Sequence, residues 1–317
     1  MRIVFMGTGE ISLPSLHWLI TQSGHDIVGV YTQPDKPVGR KQILTPPEVK
    51  TVAQTAGIPV FQPETFRKNP EALAELMDLQ ADLFVVMAYG QILPRAVIEA
   101  PRLACVNLHA SLLPRHRGAS PIQAAIREGD AESGITLMHI VPALDAGDMI
   151  LKHTLPILPT DTGGSLHDKL ADLGPGLLSE GLPLLENGTA PRTPQNEALV
   201  TYSPKLLREH GEIDWCQSSE QIERTIRAYD PWPGTTAILG TAKLKIFPPT
   251  TLIKDNNSPG IEPGSACATP EGDAILVRCG DGRVLRLAGD LQLEGRKRLP
   301  VSEFLRGQPF PPGTKLG

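Results

Sequence analysis

Aromatic residues, cysteines and long apolar runs are scarce in this chain of 317 residues. Only 4% of the residues are aromatic, and the four cysteines show none of the close spacings that mark zinc sites or redox-active disulfides. The four cysteines are therefore predicted to be reduced thiols in a cytoplasmic protein. No apolar run approaches the ~20 residues of a membrane-spanning helix, and no signal-peptide cleavage site follows the short apolar start, so we expect no membrane association.

The net charge of −5 argues against a dedicated nucleic-acid-binding protein, but the charge is unevenly distributed. Residues 1–204 hold 15 basic and 21 acidic side chains, whereas residues 205–317 hold 15 and 14. Basic side chains cluster at positions 36–41 and at Arg296–Arg298. Because charged side chains usually lie on solvated surface, these clusters indicate a polyanionic partner only if other features point to one.

The length of the chain predicts two domains, because single domains usually hold about 150 residues. In the first part, apolar strand-like runs alternate with segments of helical periodicity, which is typical of a doubly wound, mostly parallel α/β sheet covered on both faces. The predicted strands are Arg2–Met6, Asp26–Tyr31, Asp82–Met87 and Cys105–His109. The predicted helices are Ser12–Thr21, Glu48–Ala56, Asn69–Asp78 and one that begins near Pro121. Residues 33–47 are predicted to form a long loop rich in Pro, Gly and Lys.

The last third of the chain has a different pattern. An amphipathic helix is predicted over Ser218–Ala228, and short β-rich runs follow it at Thr235–Leu239, Leu244–Phe247, Ala274–Arg278 and Val284–Leu287. Such short strands suit a small open barrel or sandwich, and a five-stranded OB-like β-barrel fits them. We therefore predict an N-terminal domain over residues 1–189, a linker over 190–207 and a smaller OB-like domain over 208–317.

A Gly-x-Gly turn follows the first predicted strand, at Gly7 and Gly9, and raises the hypothesis of a dinucleotide-binding fold. The third glycine of that pattern is missing, since Ser12 stands in its place. Asp35 is the candidate acid for a ribose hydroxyl at the end of the second strand. A tight strand-to-helix turn accounts for the two glycines more simply.

Asn107 and His109 lie at the end of a predicted strand, where ligands of such sheets bind. Residues two apart in a strand point to the same face, so an amide donor and an imidazole are expected side by side. Such a pair can hydrogen-bond an oxygen that gains negative charge during acyl transfer. Asp145, in a Gly-containing turn further along the chain, is a candidate partner that would set the tautomer and charge of His109. Spacing alone leaves open whether the three side chains meet.

Several motifs carry a resemblance to a known family. Asn107–Pro114 has the pattern Asn-x-His-x-Ser-Leu-Leu-Pro, and Leu144–Asp148 has the pattern Leu-Asp-x-Gly-Asp. The pair Asp214-Trp215 and the run Pro231–Gly234 follow in the last third. With the Arg2–Thr8 start, these motifs make the chain similar, over essentially its whole length, to methionyl-tRNA formyltransferases of the 10-formyltetrahydrofolate-dependent formyltransferase superfamily.

The resemblance implies an enzyme that transfers a formyl group from 10-formyltetrahydrofolate to the amino group of methionyl initiator tRNA, which supports translation initiation. Carried over by motif, Asn107, His109 and Asp145 would form the catalytic set. The residues expected to contact folate are Ser111, Leu112, Leu113, Pro114, Tyr89, Gly90 and Ile92. The residues expected to contact tRNA are Arg40, Lys41, Arg296, Lys297 and Arg298. We expect a monomer that binds no metal.

The chain departs from the family pattern at two places. His116 replaces a tryptophan that often follows the Leu-Leu-Pro turn, and the loop around Arg40 lacks its second glycine and is shorter by about one residue. Neither change touches the expected catalytic set. The second change bears on the contacts of that loop with tRNA.

Three other functions are compatible with parts of the sequence. An amino sugar nucleotide as formyl acceptor would use the same N-terminal motifs, but the basic clusters favour tRNA because phosphate neutralisation supplies much of nucleic-acid affinity. An NAD-dependent oxidoreductase would rest on the Gly7-x-Gly9 turn. A non-catalytic RNA-binding module would rest on the C-terminal barrel and would leave the Asn, His and Asp pattern unexplained.

Overall fold

The structure is a computed structural model that describes residues 1–39, 41–253 and 262–317. The described chain divides into two compact units. The first unit comprises Met1–Pro121, Ser133–Leu155 and His167–Ser203, and the second comprises Ile122–Glu132, Pro156–Leu166 and Pro204–Gly317. The domain limits predicted from the sequence, 1–189 and 208–317, remain a proposal.

The strands and helices are numbered in chain order. The strands are β1 (Arg2–Gly7), β2 (Asp26–Tyr31), β3 (Lys36–Val38), β4 (Ile43–Thr45), β5 (Val60–Phe61), β6 (Leu83–Met87), β7 (Ala104–His109), β8 (Arg117–Gly118), β9 (Glu132–His139), β10 (Met149–Pro156), β11 (Tyr202–Ser203), β12 (Thr235–Leu239), β13 (Ala242–Ile246), β14 (Thr250–Ile253), β15 (Ser265–Ala268), β16 (Ile275–Arg278), β17 (Val284–Leu287), β18 (Asp290–Leu293), β19 (Leu299–Pro300) and β20 (Thr314–Lys315). The helices are α1 (Leu13–Thr21), α2 (Glu48–Thr55), α3 (Pro70–Asp78), α4 (Arg95–Ile98), α5 (Pro121–Glu128), α6 (Gly163–Glu186), α7 (Ser219–Ala228) and α8 (Val301–Gly307). Short 3-10 helices lie at Glu10–Ser12, Glu197–Leu199 and Arg208–Gly211.

A seven-stranded sheet in the order β10-β9-β7-β6-β1-β2-β5 forms the centre of the first unit. β1 is parallel to its neighbours β2 and β6, and β6 is parallel to β7, whereas β9 runs antiparallel to β7. β6 is buried along its whole length and β1 nearly so, which explains why both sequences are continuous apolar runs. The parallel strands bring their carboxyl ends to one edge, where β7 ends with His109. The predicted α/β class with a mostly parallel sheet is confirmed.

The sequence marks α3 and α6 differently. Asn69 caps α3 by accepting a hydrogen bond from the backbone N–H of Ala72 at 3.1 Å, and Pro70 at the first position needs no such partner. α6 is missing from the sequence-based prediction, because Pro175 and Pro183 lie inside it and proline usually interrupts a helix.

No helix within the described residues is both long and apolar enough to cross a membrane.

Antiparallel strands dominate the second unit. β12, β13, β18 and β19 form one sheet, and β14, β17, β16, β15 and β20 form another. Side chains from these strands and from α7 share one hydrophobic cluster that includes Trp215, Leu244 and Leu285. Ile222 and Ile226, four residues apart in α7, are almost fully buried in it, as the predicted amphipathic pattern requires. The predicted second domain of β-strands is confirmed.

Two segments predicted as loop or linker contain regular structure. The 33–47 segment contains an antiparallel pair of strands, β3 and β4, whose residues are all exposed. The 190–207 segment contains β11, which runs parallel to β8 within the first unit. Periodicity does not reveal either pair, because strands of two or three residues are too short to show an alternating pattern.

Candidate active site

β7 brings the predicted Asn–His pair to the carboxyl edge of the sheet. Asn107 lies opposite Val86 of β6 and Met138 of β9 and is half-buried, whereas His109 is only 6% exposed. Leu108 separates the two in the strand, so their side chains share the other face of β7. The structure therefore places an amide and an imidazole on one face, as their spacing predicts.

The His109 ring lies between two oxygen atoms. Its Nε2 atom is 2.9 Å from the backbone carbonyl oxygen of His116, and its Nδ1 atom is 3.7 Å from Oδ2 of Asp145. A carbonyl oxygen only accepts hydrogen bonds, so Nε2 carries a proton and donates it to His116. The distance from Nδ1 to Asp145 is within the range of an ion pair but too long for a hydrogen bond. Nδ1 is therefore the ring nitrogen that remains available for chemistry.

Asp145 approaches this ring from the turn between β9 and β10. Its backbone φ is +47°, in the left-handed region that residues other than glycine adopt rarely. Its Oδ2 atom accepts a hydrogen bond from the backbone N–H of Gly118 at 2.9 Å. The structure thus brings Asp145 and His109 together across 36 residues of sequence, and Gly118 orients the carboxylate.

Gly118 occupies a position that no other residue suits. Its φ is +122°, and a Cβ atom here would lie 2.5 Å from the backbone oxygen of Ser203. The two residues are partners in the β8–β11 pair. Glycine meets both requirements, because it has no Cβ and tolerates positive φ.

Residues 195–203, which we call the strap, hold the Asp145 turn from one side. The side-chain amide of Gln195 donates hydrogen bonds to the backbone oxygens of Asp145 at 2.7 Å and of Gly147 at 2.9 Å. Its Oε1 atom accepts one from Nε of Arg117 at 3.0 Å. Sequence reasoning misses Gln195 because the strap falls in the predicted linker, where no periodic pattern singles out one residue.

The strap also holds the loop that supports His109. The backbone N–H of His116 donates to Oγ1 of Thr201 at 2.8 Å, and the Ser203 hydroxyl donates to the His116 carbonyl at 3.2 Å. That carbonyl is the acceptor for Nε2 of His109. The His116 side chain itself is buried, at 3% exposure, in the place of the familial tryptophan. The strap therefore contacts the supports of both His109 and Asp145.

The Leu-Leu-Pro turn predicted to contact folate mixes buried and accessible residues. Ser111 is buried, and its hydroxyl donates to the backbone carbonyl oxygen of Arg115 at 2.7 Å. Leu113 is fully buried, and its backbone N–H donates to Oγ1 of Thr136 at 3.2 Å. Leu112 and Pro114 are only half-buried. Ser111 and Leu113 therefore shape the turn, whereas Leu112 and Pro114 offer surface to a ligand.

Lys152 of β10 contacts the same turn. Its ammonium group donates a hydrogen bond to the backbone oxygen of Leu113. Burial lowers the pKa of Lys152 from its ordinary value, because desolvation disfavours the charged form. The sequence contains no signal for this contact, since the two residues are 39 positions apart and share no motif.

Tyr89, Gly90 and Ile92 follow β6 at the same edge of the sheet. The Tyr89 side chain belongs to the core, its hydroxyl has no hydrogen-bond partner among the described residues, and burial raises its pKa. Gly90 has a φ of +85°, and Ile92 is 88% exposed. Of these three predicted folate contacts, Gly90 and Ile92 are accessible, and Tyr89 positions the backbone.

The predicted tRNA contacts in the 33–47 segment lie on or beside the β3–β4 pair. Arg40 lies outside the described residues, and Lys41 is exposed between the two strands. Val38, Ile43 and Leu44 are 56%, 61% and 64% exposed. This hairpin therefore presents apolar side chains and a cation to solvent together.

The predicted basic cluster at residues 296–298 lies between β18 and β19. All three side chains are exposed. Arg298, however, donates from Nε to Asp290 at 2.7 Å, and its guanidinium lies 3.8 Å from the centre of the Phe247 ring. Arg298 is thus held on the surface of the second unit, which leaves Arg296 and Lys297 as the more accessible cations.

The geometry near Gly7 and Gly9 disfavours the dinucleotide hypothesis. A 3-10 helix at Glu10–Ser12 follows the two glycines. Both carboxylate oxygens of Asp35 lie 2.9 Å from the Lys50 ammonium, and one also accepts from Gln62 at 2.8 Å. These hydrogen bonds from Lys50 and Gln62 lower the pKa of Asp35. The acid that a ribose would need is therefore already paired.

The candidate site combines an amide, an anchored imidazole and a carboxylate. Such a set can accept a proton from an attacking amine and stabilise negative charge on a carbonyl oxygen. The nearest thiol along β7, that of Cys105, is buried, and burial raises its pKa to about 12, so it does not supply a thiolate nucleophile. The arrangement suits direct transfer of an acyl group to an amine.

Comparisons with known proteins identify the family of the chain. The formyl transferase family model matches residues 1–182, and the model of the formyl transferase C-terminal domain matches residues 205–309. The chain is 50% identical to a methionyl-tRNA formyltransferase of Akkermansia muciniphila, with 98% of this chain and 97% of that one covered. It is 44% identical to a methionyl-tRNA formyltransferase of Geobacter metallireducens, with 100% and 99% covered. The crystal structure of the sugar 3N-formyl transferase WlaRD, with dTDP and 5-N-formyl-THF, superposes with a TM-score of 0.65 at 19% identity over 94% of this chain and 99% of that one.

The fold is therefore that of the formyl transferase class, whose donor is a formyl-tetrahydrofolate. The chain belongs to the methionyl-tRNA formyltransferase family. The resemblance drawn from the motifs is confirmed, and so is the prediction of a formyltransferase enzyme. At 19% identity, the likeness to the sugar-modifying enzyme shows a shared fold alone.

Proposed function

We propose that this protein transfers the formyl group of 10-formyltetrahydrofolate to the α-amino group of methionyl initiator tRNA, at a site formed by Asn107, His109 and Asp145. One observation carries the proposal, namely the His109 ring held between the His116 carbonyl and the Asp145 carboxylate. The full-length relatives at 44% and 50% identity, which are named for this reaction, support the choice of acceptor.

His109 acts as the proton acceptor in the proposed reaction. The neutral amine attacks the formyl carbon, a new N–C bond forms, and the carbonyl oxygen becomes an oxyanion. Nδ1 of His109 takes the proton that the amine loses, because Nε2 already carries one and donates it to the His116 carbonyl. The Asp145 carboxylate, 3.7 Å from Nδ1, stabilises the resulting imidazolium.

Asn107 and the protonated His109 stabilise the oxyanion. The two side chains share a face of β7, and the proposed reaction places the oxyanion between their N–H donors. When the tetrahedral intermediate collapses, the bond to N10 of the folate breaks and the proton passes from His109 to N10. Formylmethionyl-tRNA and tetrahydrofolate leave, and the neutral imidazole is restored.

The accessible residues at the sheet edge suit a folate. Exposed Ile92 and half-buried Leu112 and Pro114 offer apolar surface to a flat heterocycle, and Gly90 leaves its backbone open to close approach. The buried Ser111, Leu113 and Tyr89, also predicted from the motifs, act indirectly by holding the backbone of the two loops. The proposed reaction uses no metal ion.

Cations in two segments are proposed to bind the tRNA. They are Arg40 and Lys41 of the hairpin segment and Arg296, Lys297 and Arg298 of the second unit. Each phosphate that such a cation neutralises releases counterions, so binding should weaken steeply as salt rises. The enzyme is proposed to act as a cytoplasmic monomer, which size-exclusion chromatography with light scattering would test.

A direct assay tests the proposal. Purified protein is mixed with 10-formyltetrahydrofolate and methionyl initiator tRNA, and formylmethionine is measured after deacylation. We expect the wild-type protein to form it and the His109→Ala variant to fall to background. A parallel reaction offers a dTDP-linked amino sugar as the acceptor. Formylation of the sugar but not of the tRNA would overturn the proposed acceptor, and no transfer to either would overturn the proposed reaction.

A further inference from the structure

We propose that Gln195 is a positioning residue of this enzyme, and that it holds the turn that carries Asp145 in the conformation that faces His109. The inference rests on the proposed role of Asp145. It makes the strap a part of the catalytic site, although the sequence predicts a linker there.

Every polar group of the Gln195 amide is used. The side chain is 9% exposed, and its amide nitrogen has two N–H groups for two acceptors, the backbone oxygens of Asp145 and Gly147. Its oxygen accepts from Arg117, which can only donate. Because backbone oxygens only accept and a guanidinium only donates, just one orientation of the amide satisfies all three partners. Gln195 is thus held in a single orientation.

Arg117 holds the other side of Gln195. Its side chain is 3% exposed, and its Nη2 atom donates to the Glu197 carboxylate at 2.7 Å. Glu197 belongs to the strap as well, two residues from Gln195. Arg117 therefore contacts the strap at two residues, Gln195 and Glu197. The strap is attached a second time at its end, where β11 pairs with β8, the strand that begins with Arg117. This double attachment keeps the Gln195 amide beside the Asp145 turn.

Asp145 needs such support because of its backbone conformation. Its φ of +47° is unfavourable for a residue with a side chain, so the turn tends to relax unless neighbours hold it. Gly118 binds the carboxylate but does not hold the peptide group that follows Asp145. Gln195 holds that peptide group by donating to the Asp145 backbone oxygen. It also holds the peptide group that follows Gly147 by donating to the Gly147 backbone oxygen. Without these bonds the carboxylate can turn away from Nδ1 of His109.

Two substitutions separate positioning from simple packing. Gln195→Leu removes the donors and the acceptor at nearly the same volume. Gln195→Glu keeps an acceptor for Arg117 but replaces the donating nitrogen with an oxygen that faces two backbone oxygens. If Gln195 only accepts a hydrogen bond from Arg117 and packs against it, the Glu variant should behave as wild type. If it positions Asp145, both variants should be impaired, and the Glu variant decides between the two roles because Gln195→Leu also removes the acceptor for Arg117.

We expect kcat for formyl transfer to methionyl initiator tRNA to fall about 10- to 100-fold in both variants, with little change in KM for tRNA or folate. Asn69→Ala, which removes the cap of α3, is the control for a loss of stability without a change at the site. It should keep the wild-type kcat. A Gln195→Glu enzyme with wild-type kcat would overturn the inference.

A spectroscopic measurement makes the test independent of turnover. The ¹⁵N resonances of the His109 ring, assigned by their absence in a His109→Asn variant, report the charge next to Nδ1. They should shift in Gln195→Leu and remain in place in Asn69→Ala. Resonances that shift in neither Gln195→Leu nor Asn69→Ala would overturn the positioning role, even if the wild-type protein formylates tRNA. A shift in a protein that formylates no tRNA would support the positioning role and overturn only the proposed function.

Discussion

The proposed catalytic set and the proposed tRNA-binding cations lie in opposite environments. His109 is 6% exposed, its ring has an oxygen atom on two sides, and the groups that support it form further hydrogen bonds with the strap. Lys41, Arg296 and Lys297 are exposed side chains beside short strands. The first region is a buried network and the second a set of solvated charges.

The contrast follows from what each region must do. Charge that develops in a transition state is stabilised best by groups that are oriented beforehand, in a place that water does not screen. A polyanion, in contrast, is bound through counterion release, which requires charge near its phosphates but little exact geometry. Single substitutions should therefore have large effects in the network and small, salt-dependent effects on the cations.

Asp145→Asn should show the largest effect. The amide oxygen can still accept from the Gly118 N–H, but no negative charge remains to stabilise the His109 imidazolium. We expect kcat to fall about 100- to 10,000-fold with an unchanged melting temperature, as single-turnover formylation and thermal unfolding would measure. Wild-type turnover in this variant would remove Asp145 from the proposed reaction.

Gly118→Ala should come next, because it disturbs the network through the backbone. The new Cβ would meet the Ser203 oxygen, and alanine is strained at φ +122°. We expect the free energy of unfolding to drop by roughly 1–3 kcal/mol, with a loss of kcat. Gly188→Ala is the matched control, since Gly188 has a φ of +69° but nothing within 4 Å of its added Cβ. Urea unfolding and kcat of the two variants together separate backbone strain from the clash with Ser203, and equal kcat in both would contradict the prediction.

The double substitution Arg296→Gln and Lys297→Gln should act on tRNA alone. We expect KM for tRNA to rise about tenfold at low salt and the slope of log affinity against log salt to shrink by about 2, one for each lost phosphate contact. The kcat should not change. Arg67→Gln with Lys68→Gln, another exposed basic pair, is the control and should leave the salt slope as it is. A salt slope that is the same in both double variants would remove the 296–298 cluster from the tRNA-binding surface.

A buried histidine near the network should give the smallest effect. Burial lowers the pKa of His139 below its ordinary 6.5, an effect that nearby Arg192 reinforces and Asp148 opposes. As the pH falls, the unfolded chain therefore takes up a proton on this residue before the folded chain does. The contribution of His139 to the free energy of unfolding is fully present above pH 6.5 and declines as the pH falls below that value. His139→Gln should flatten the decline in urea-unfolding free energy between pH 6.5 and 5 by a small amount. An identical pH dependence in the variant and the wild type would contradict this assignment.

Local patterns in the sequence predicted much of the fold. The apolar runs of β1 and β6, the helical spacing of Ile222 and Ile226 and the cap at Asn69 depend on residues within a few positions of one another. Propensity and periodicity act over that range. The same patterns miss α6, whose internal prolines oppose its local preference, and the short pairs β3–β4 and β8–β11.

The candidate site depends on contacts between residues that are much further apart in the sequence than local patterns reach. By itself the sequence determined the residue types, the Asn–His pair on one face of a strand, and the family through its motifs. Only the tertiary structure decided that Asp145 lies 3.7 Å from His109, that Leu113 and Tyr89 are core side chains, and that Gln195 in a predicted linker holds the Asp145 turn. These contacts join residues that are distant in the sequence. Such contacts depend on the packing of the whole sheet and leave no periodic signal in the segments they connect.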